Sequence, residues 1–291
     1  MKKKLYLLLI TLLTLSINNS FCQITILSGP EKTSYHQFAE DMVKVLGDKE
    51  GIELINKSTD GSAASFEQLI DPAKEGKMAF IQSDYFGIKK AEDLMNDTHK
   101  TDSIIVLMPM AKEQMHIFTR KSNGITKLED LNQKRLAVGT KDQSTFYTAQ
   151  IIQKRSKIDW YANELNYSDM LRKVASGNIE AAFIIGSSPL QLLDIDPQIM
   201  VDEIVLVEIT DFNGWAEEYE RDVISAGEYR WLDKDIPTFS IRSLLLVNRN
   251  KLTDADKKII ENIKTGIATN IEYLKEVGHP KWNTVEIPSN N

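Results

Sequence analysis

Short apolar runs alternate with amphipathic helical patterns along most of this 291-residue chain, and that alternation restricts it to a few architectures. Ile24 to Leu27 reads as a first strand. Tyr35, Phe38, Ala39, Met42, Val43 and Leu46 then recur at helical spacing, behind Thr33 or Ser34 as the cap. Ile52 to Ile55 predicts the next strand, Phe66 and Leu69 a short helix, and Met78 to Ile81 a third strand with a helix after it. Ile104 to Met108 and His116 to Arg120 read as two further strands. Units of this kind set strands parallel in a sheet whose faces are covered by helices.

A second series starts after Asn123-Gly124. Thr126 to Leu131 reads as a helical turn, Arg135 to Gly139 as a buried strand, and a helix begins near Ser144. Met170, Leu171, Val174 and Ala175 mark a helix that leads into a strand at Ala181 to Ile185. Ile204 to Ile209 predicts a strand followed by a helix carrying Trp215 and Tyr219. Arg242 to Val247 reads as a strand returning to the first series. Ile260, Ile263, Ile267, Ile271 and Leu274 predict a long final helix capped by Thr253 or Asp254. The expected fold class is therefore α/β in two lobes, the second inserted into the first. Residues 23–122 would begin lobe 1, 123–235 form lobe 2, and 236–291 return to lobe 1. Roughly 270 residues exceed the usual span of a single core, which fits two.

The alternation is preceded by a different kind of segment. Lys2, Lys3 and Lys4 precede an apolar stretch from Leu5 to Leu15, too short for a bilayer span of about 20 residues. Residues 1–22 read as a cleavable signal peptide, with Ser20-Phe21-Cys22 before a cut at Gln23. Such a leader predicts export to the periplasm. Cys22, the only cysteine, would leave with it, so the mature chain would form no disulfide. The alternative makes Cys22 the lipidated start of a lipoprotein, but Phe21 is bulky where a lipobox has a small residue. The formal charge of −7 drops to −10 without the three leader lysines. An acidic surface argues against nucleic acid or anionic lipid as a partner. With 42% hydrophobic and 26% charged residues, the remainder reads as ordinary globular protein.

Open α/β sheets bind ligands beyond the carboxyl ends of their strands. The loops in question are Ser28 to Tyr35, Ser58 to Ser62 and Gln82 to Asp84 in lobe 1, with Thr140 to Thr145 and Gly186 to Ser188 in lobe 2. They are rich in Ser, Thr, Gly, Asp and Gln, and several open helices, whose free N–H groups stabilise anions. The ligand-binding candidates are Ser28, Lys32, Thr33, Tyr35, Asp60, Gly61, Ser62, Gln82, Ser83, Asp84, Thr140, Gln143, Ser144, Thr145, Gly186 and Ser187. This chemistry suits a small polar solute with a carboxylate. Thr145 and Ser144 would hold the anion opposite Ser62 and Ser83, or would serve only as helix caps. Asp84 would meet a ligand ammonium or satisfy nearby backbone N–H groups.

Thr59-Asp60-Gly61-Ser62, followed by Gly76 to Asp84 with its Gln82-Ser83-Asp84 turn, resembles the TAXI family of TRAP-transporter solute receptors. Met115 to Arg120, Gly124 to Gly139 and Ser225-Ala226-Gly227-Glu228-Tyr229 are similar to further segments of that family. The resemblance covers essentially the whole mature chain. The Gly124 to Gly139 segment is shared by many type II periplasmic binding proteins, and the pairing of the Thr59 and Gln82 segments is what points to TAXI receptors. It implies a two-lobed type II periplasmic-binding-protein architecture with the ligand cleft between the lobes. It also implies capture of an organic acid or an amino acid such as glutamate for the permease subunits of a TRAP-type transporter. One departure is the first loop, glycine-rich in the family but here Ser28-Gly29-Pro30-Glu31-Lys32-Thr33-Ser34-Tyr35.

No Gly-x-Ser-x-Gly elbow, His-Glu-x-x-His pair or phosphate loop occurs, and the four histidines lack metal spacing. The expectation is a monomeric receptor without enzymatic activity, cofactor or metal. A sensor that presents its solute to a membrane receptor remains an alternative. A hydrolase built on Gly186-Ser187-Ser188-Pro189 is a weaker one.

Overall fold

The computed structural model describes residues 23–194 and 203–287; the leader and Cys22 lie outside them. The first half of the chain gives β1 (Ile24–Leu27), α1 (Ser34–Glu50), β2 (Leu54–Lys57), α2 (Ser62–Ile70), β3 (Met78–Gln82), α3 (Ser83–Asn96) and β4 (Ile104–Arg120). Then come β5 (Arg135–Ala137), α4 (Ser144–Ser156), β6 (Tyr161–Asn163), α5 (Tyr167–Ala175) and β7 (Ala181–Gly186). The remainder gives β8 (Ile204–Leu206), β9 (Glu220–Ile224), β10 (Ile236–Asn248), α6 (Asp254–Thr269) and α7 (Ile271–Val277).

Among the described residues the strands form one sheet in the order β2-β1-β3-β10-β4-β7-β5-β6, with β8 beside β4 and β9 beside β10. β1 is parallel to β2 and β3, and β5 is parallel to β6 and β7. Between these parallel triplets run β10 and β4, antiparallel to each other and to their outer neighbours. β10 joins β3 through Ser243 to Val247, and β4 joins β7 through Gln114 to Thr119. The two lobes thus hang from two long adjacent strands. Helices cover both faces of each lobe. Ile24, Phe38, Phe80 and Trp282 pack on one face of the first, and Leu27, Phe66, Ile81 and Tyr85 on the other. In the second, Ile117, Phe183 and Trp215 oppose Phe118, Ile184 and Tyr229. Each such side chain contributes about 1.5–3 kcal/mol when fully buried. Trp282 also anchors the C-terminal segment to α1, edge-on to Phe38 at 4.7 Å, with its Nε1 donating to Asp41.

Several elements differ from the sequence expectation for local reasons. The two strands expected at 104–108 and 116–120 are one strand of 17 residues. Pro109 and the polar Lys112-Glu113-Gln114 interrupt the apolar run, yet pairing with β10 carries the backbone through them with register shifts near Arg242 and Leu245. Likewise the return strand is longer than 242–247 and starts at Ile236. The helix expected around Trp215 and Tyr219 is replaced by turns: Asp211 Oδ1 accepts from the Asn213 and Gly214 N–H groups, and Gly214 sits at φ +82°. The strand expected at Ile52 starts at Leu54, because Gly51 takes a left-handed cap and the Ile52 N–H bonds back to Leu46. The final helix is capped by Thr253, whose hydroxyl accepts the Asp256 N–H while Asp256 accepts the Thr253 N–H, and it breaks at Asn270.

Candidate functional site

The loops that follow the parallel strands of both lobes meet around a cavity of about 400 Å³, within the usual range for small-molecule sites. Lys32, Thr33 and Tyr35 line it from the first loop and α1, Gly61 and Ser62 from the second loop, and Gln82 from the end of β3. Gln143 and Ser144 at the start of α4, with Gly186 and Ser187 after β7, line it from the second lobe. Pro30 and Glu31 stand in the same wall, so the glycine-poor first loop still borders the cavity. Lys32 adopts φ +67°, a conformation that glycine takes freely and lysine does not. Gly29 binds this loop to the next one, its carbonyl accepting from the Thr59 N–H and the Ser58 hydroxyl.

The other expected residues lie off the cavity wall. Ser28 is buried behind it and donates to Asn56, while Asp60 is exposed. The Thr140 N–H donates to Gln143 Oε1, which shapes the turn before α4. Thr145 is fully buried and hydrogen-bonds the Tyr167 hydroxyl at 2.6 Å; it is Tyr167 that reaches the cavity. Ser83 and Asp84 border a separate groove on the α3–α4 side. Asp84 Oδ2 accepts from the Thr148 hydroxyl at 2.6 Å, and burial raises its carboxyl above the ordinary range.

These contacts also hold the lobes together. The Ser62 and Ser144 hydroxyls, each on the first residue of its helix, are hydrogen-bonded, and the Ala64 N–H donates to the Asp142 carbonyl. Tyr85 and Tyr147 pack ring to ring at 4.9 Å beside the Asp84–Thr148 bond. Gly61, at φ +156°, has no room for a side chain: a Cβ there would stand 2.4 Å from the Asp142 carbonyl oxygen. The starts of α2 and α4 therefore face each other across the top of the cavity, which is favourable for an anion.

The groups at the inner end are ones that sequence reasoning missed. Glu113, in the middle of β4, is only 4% exposed and accepts the Tyr35 hydroxyl. Burial pushes its carboxyl up to about 8, against hydrogen bonds from Tyr35 and Gln82 that favour the charged form; the negative Asp84 adds to the rise. Tyr167, Ile184, Ile185, Leu190, Leu192 and His279 complete the wall. The one available signal for Glu113 was its place in a short polar stretch, Lys112-Glu113-Gln114, between two apolar strand runs.

The serines after β7 bear on the hydrolase alternative. Ser187 lines the cavity, but its hydroxyl has no hydrogen-bond partner among the described residues. The neighbouring Ser188 is the one that meets a histidine, at 2.9 Å from His116 Nε2. His116 is fully buried, and burial pushes its ring down to about 3. A neutral ring fits its contacts: Nδ1–H donates to the Gln114 carbonyl, which leaves Nε2 as the acceptor facing the Ser188 and Tyr229 hydroxyls. Tyr229, from the Ala226-Gly227-Glu228-Tyr229 segment, also accepts the Leu190 N–H. The cluster braces the loop behind the cavity.

A two-lobed α/β sheet crossed by two long strands, with a polar cavity among the loops at strand ends, is the fold of periplasmic solute-binding proteins. A histidine-bound substrate-binding protein of an ABC uptake transporter from Streptococcus pneumoniae shares it, with a TM-score of 0.55 at 10% identity over 87% of this chain and 88% of that one. So does the periplasmic aliphatic sulphonate binding protein SsuA of Escherichia coli, with 0.52 at 10% identity over 87% and 74%. The CcmR regulatory domain of Synechocystis PCC6803, in complex with 2-PG, gives 0.52 at 10% identity over 83% and 95%. At these identities the likeness is one of fold. Residues 26–266 match the NMT1-like family, and the chain belongs to it. No helix among the described residues is long and apolar enough to cross a membrane.

Proposed function

We propose that this protein is an exported solute-binding receptor that captures a small polar solute with an anionic group and delivers it to the permease subunits of a TRAP-type transporter. The observation that carries this reading is the cavity enclosed by loops of both lobes beneath the facing starts of α2 and α4. Lys32 adds a positive charge at its rim and forms no ion pair among the described residues. The reading includes a cleaved leader at residues 1–22, lobes at 23–122, 123–235 and 236–291, and binding by the cavity-lining residues from Lys32 to Ser187 named above. The resemblance of the Thr59 and Gln82 segments to TAXI receptors supports the TRAP assignment. A sensory role shares the same site, and the regulatory domain of Synechocystis with this fold supports it as the second reading.

A thermal-shift screen of the mature chain with dicarboxylates, amino acids and 2-oxo acids tests the proposal. A ligand at about 100 times its Kd adds about 2.7 kcal/mol to the folded state, which raises Tm by several degrees. A hit should be recovered chemically unchanged after long incubation. Turnover that is lost in Ser187→Ala would replace the receptor reading with the hydrolase one.

A further inference from the structure

The inner end of the cavity carries hydrogen-bond acceptors that the protein itself does not use up. Glu113 takes a hydrogen bond from the Tyr35 hydroxyl, and the nearby Gln82 amide also favours its charged form. Gln82 is 3% exposed, and its Oε1 is left without a partner among the described residues. A buried acceptor in that position is costly unless something donates to it. A buried carboxylate is costlier still without a cation. The ionisable groups around Glu113 are Tyr35 on α1, Tyr167 on α5 and Asp84 at the start of α3, and none of them is a cation. The remaining charged or titratable groups in the wall are Glu31 and Lys32 in the first loop and His279 in the C-terminal segment. His279 is driven down to about 4 by burial and by the neighbouring Lys281, which leaves it neutral.

We infer that the solute carries a primary ammonium group that docks between Glu113 and Gln82 Oε1, while its carboxylate faces the starts of α2 and α4. The inference rests on the receptor reading and narrows it from organic acids to zwitterions of amino-acid type. Leu190 and Leu192, with Ile184 and Ile185 near the end of β7, border the space that the carbon skeleton would occupy. Glu113 is then the residue that separates amino acids from plain carboxylic acids. Proton linkage gives this docking a signature. With the cavity empty, Glu113 holds a proton up to about pH 8. An ammonium beside it favours the charged form, so binding at neutral pH expels that proton. Affinity should rise about tenfold per pH unit up to about 8. An anion hydrogen-bonded to the protonated acid would leave affinity flat up to about pH 8 and weaken it above, with no proton released.

The experiment is isothermal titration of the mature chain with a panel of protein amino acids, each paired with the carboxylic acid of the same carbon skeleton. Leucine with 4-methylpentanoate and glutamate with glutarate are two such pairs. Titration in buffers of different ionisation enthalpy counts the protons released. At least one amine-bearing member should bind about tenfold or more tightly than its partner, with proton release and the rising pH profile. Glu113→Gln should abolish the preference and the proton release. A cooperative melt and an unchanged circular dichroism spectrum of Glu113→Gln guard against loss through misfolding. Equal or tighter binding of the deaminated acids would overturn the inference and leave the receptor reading standing. Retention of the amine preference in Glu113→Gln would do the same. Failure of every member of both series to bind would remove the receptor reading and the inference together.

Discussion

Glu113 gives the protein a dependence on pH opposite to that of an ordinary surface acid. Its carboxyl titrates near 4.5 in the unfolded chain and near 8 in the fold, so between these values the folded state holds the extra proton. Stability from this group is complete below about 4.5 and declines as pH rises toward 8. Glu113→Gln keeps the shape and removes the titration. It should raise Tm at pH 8 by several degrees, with a smaller effect at pH 5, in unliganded protein followed by calorimetry. An unchanged Tm at both values would mean that the carboxyl is not protonated in the fold. Thr145 behaves differently. The sequence placed its hydroxyl either on the ligand or in a cap, and its hydrogen bond goes to Tyr167 instead. Thr145→Val should cost about 1 kcal/mol of stability and leave affinity within about fivefold, both readable by denaturation and titration. Ser62, Gln82 and Ser144 were legible because loop position and residue type alone bring them to the strand ends. Glu113 was not, because Lys112-Glu113-Gln114 reads as a polar gap and only the pairing with β10 buries it.

At the level of elements, the second loop and the turn before α4 are fitted to each other through Gly61. A methyl group there would collide with the Asp142 carbonyl, a backbone atom that cannot swing aside like a side chain. Gly61→Ala should therefore weaken solute binding by more than about tenfold while the separate lobes keep their structure, which circular dichroism and titration would show together. Wild-type affinity in this variant would mean that the lobes do not meet there in the bound form. The strand–helix units on both sides of this contact were readable from apolar spacing, since each pairs with its immediate neighbours. The long strands β4 and β10 were not. Their continuity depends on partners more than a hundred residues away along the chain, such as Gln114 with Ser240, and Pro109 masks it locally. The helix expected at Trp215 failed for the opposite reason: a turn set by Asp211 and Gly214 outweighed apolar spacing.

For the molecule as a whole, the proposed receptor role predicts that the lobes joined by β4 and β10 open and close around the cavity. Small-angle scattering should show a smaller radius of gyration with a bound solute than without one, and identical profiles at saturation would indicate a body that does not open. The lobes already touch through Ser62 and Ser144, Ala64 and Asp142, and Asp84 and Thr148. A receptor fastened by its own side chains admits solute only as fast as it unfastens, so the observed association rate in stopped flow should level off as solute concentration rises. Thr148→Val loosens one fastening at a residue that does not itself line the cavity and should lift that plateau. In a dilute environment such a gate sets the pace of uptake by the lifetime of the shut form, whatever the tightness of the final complex.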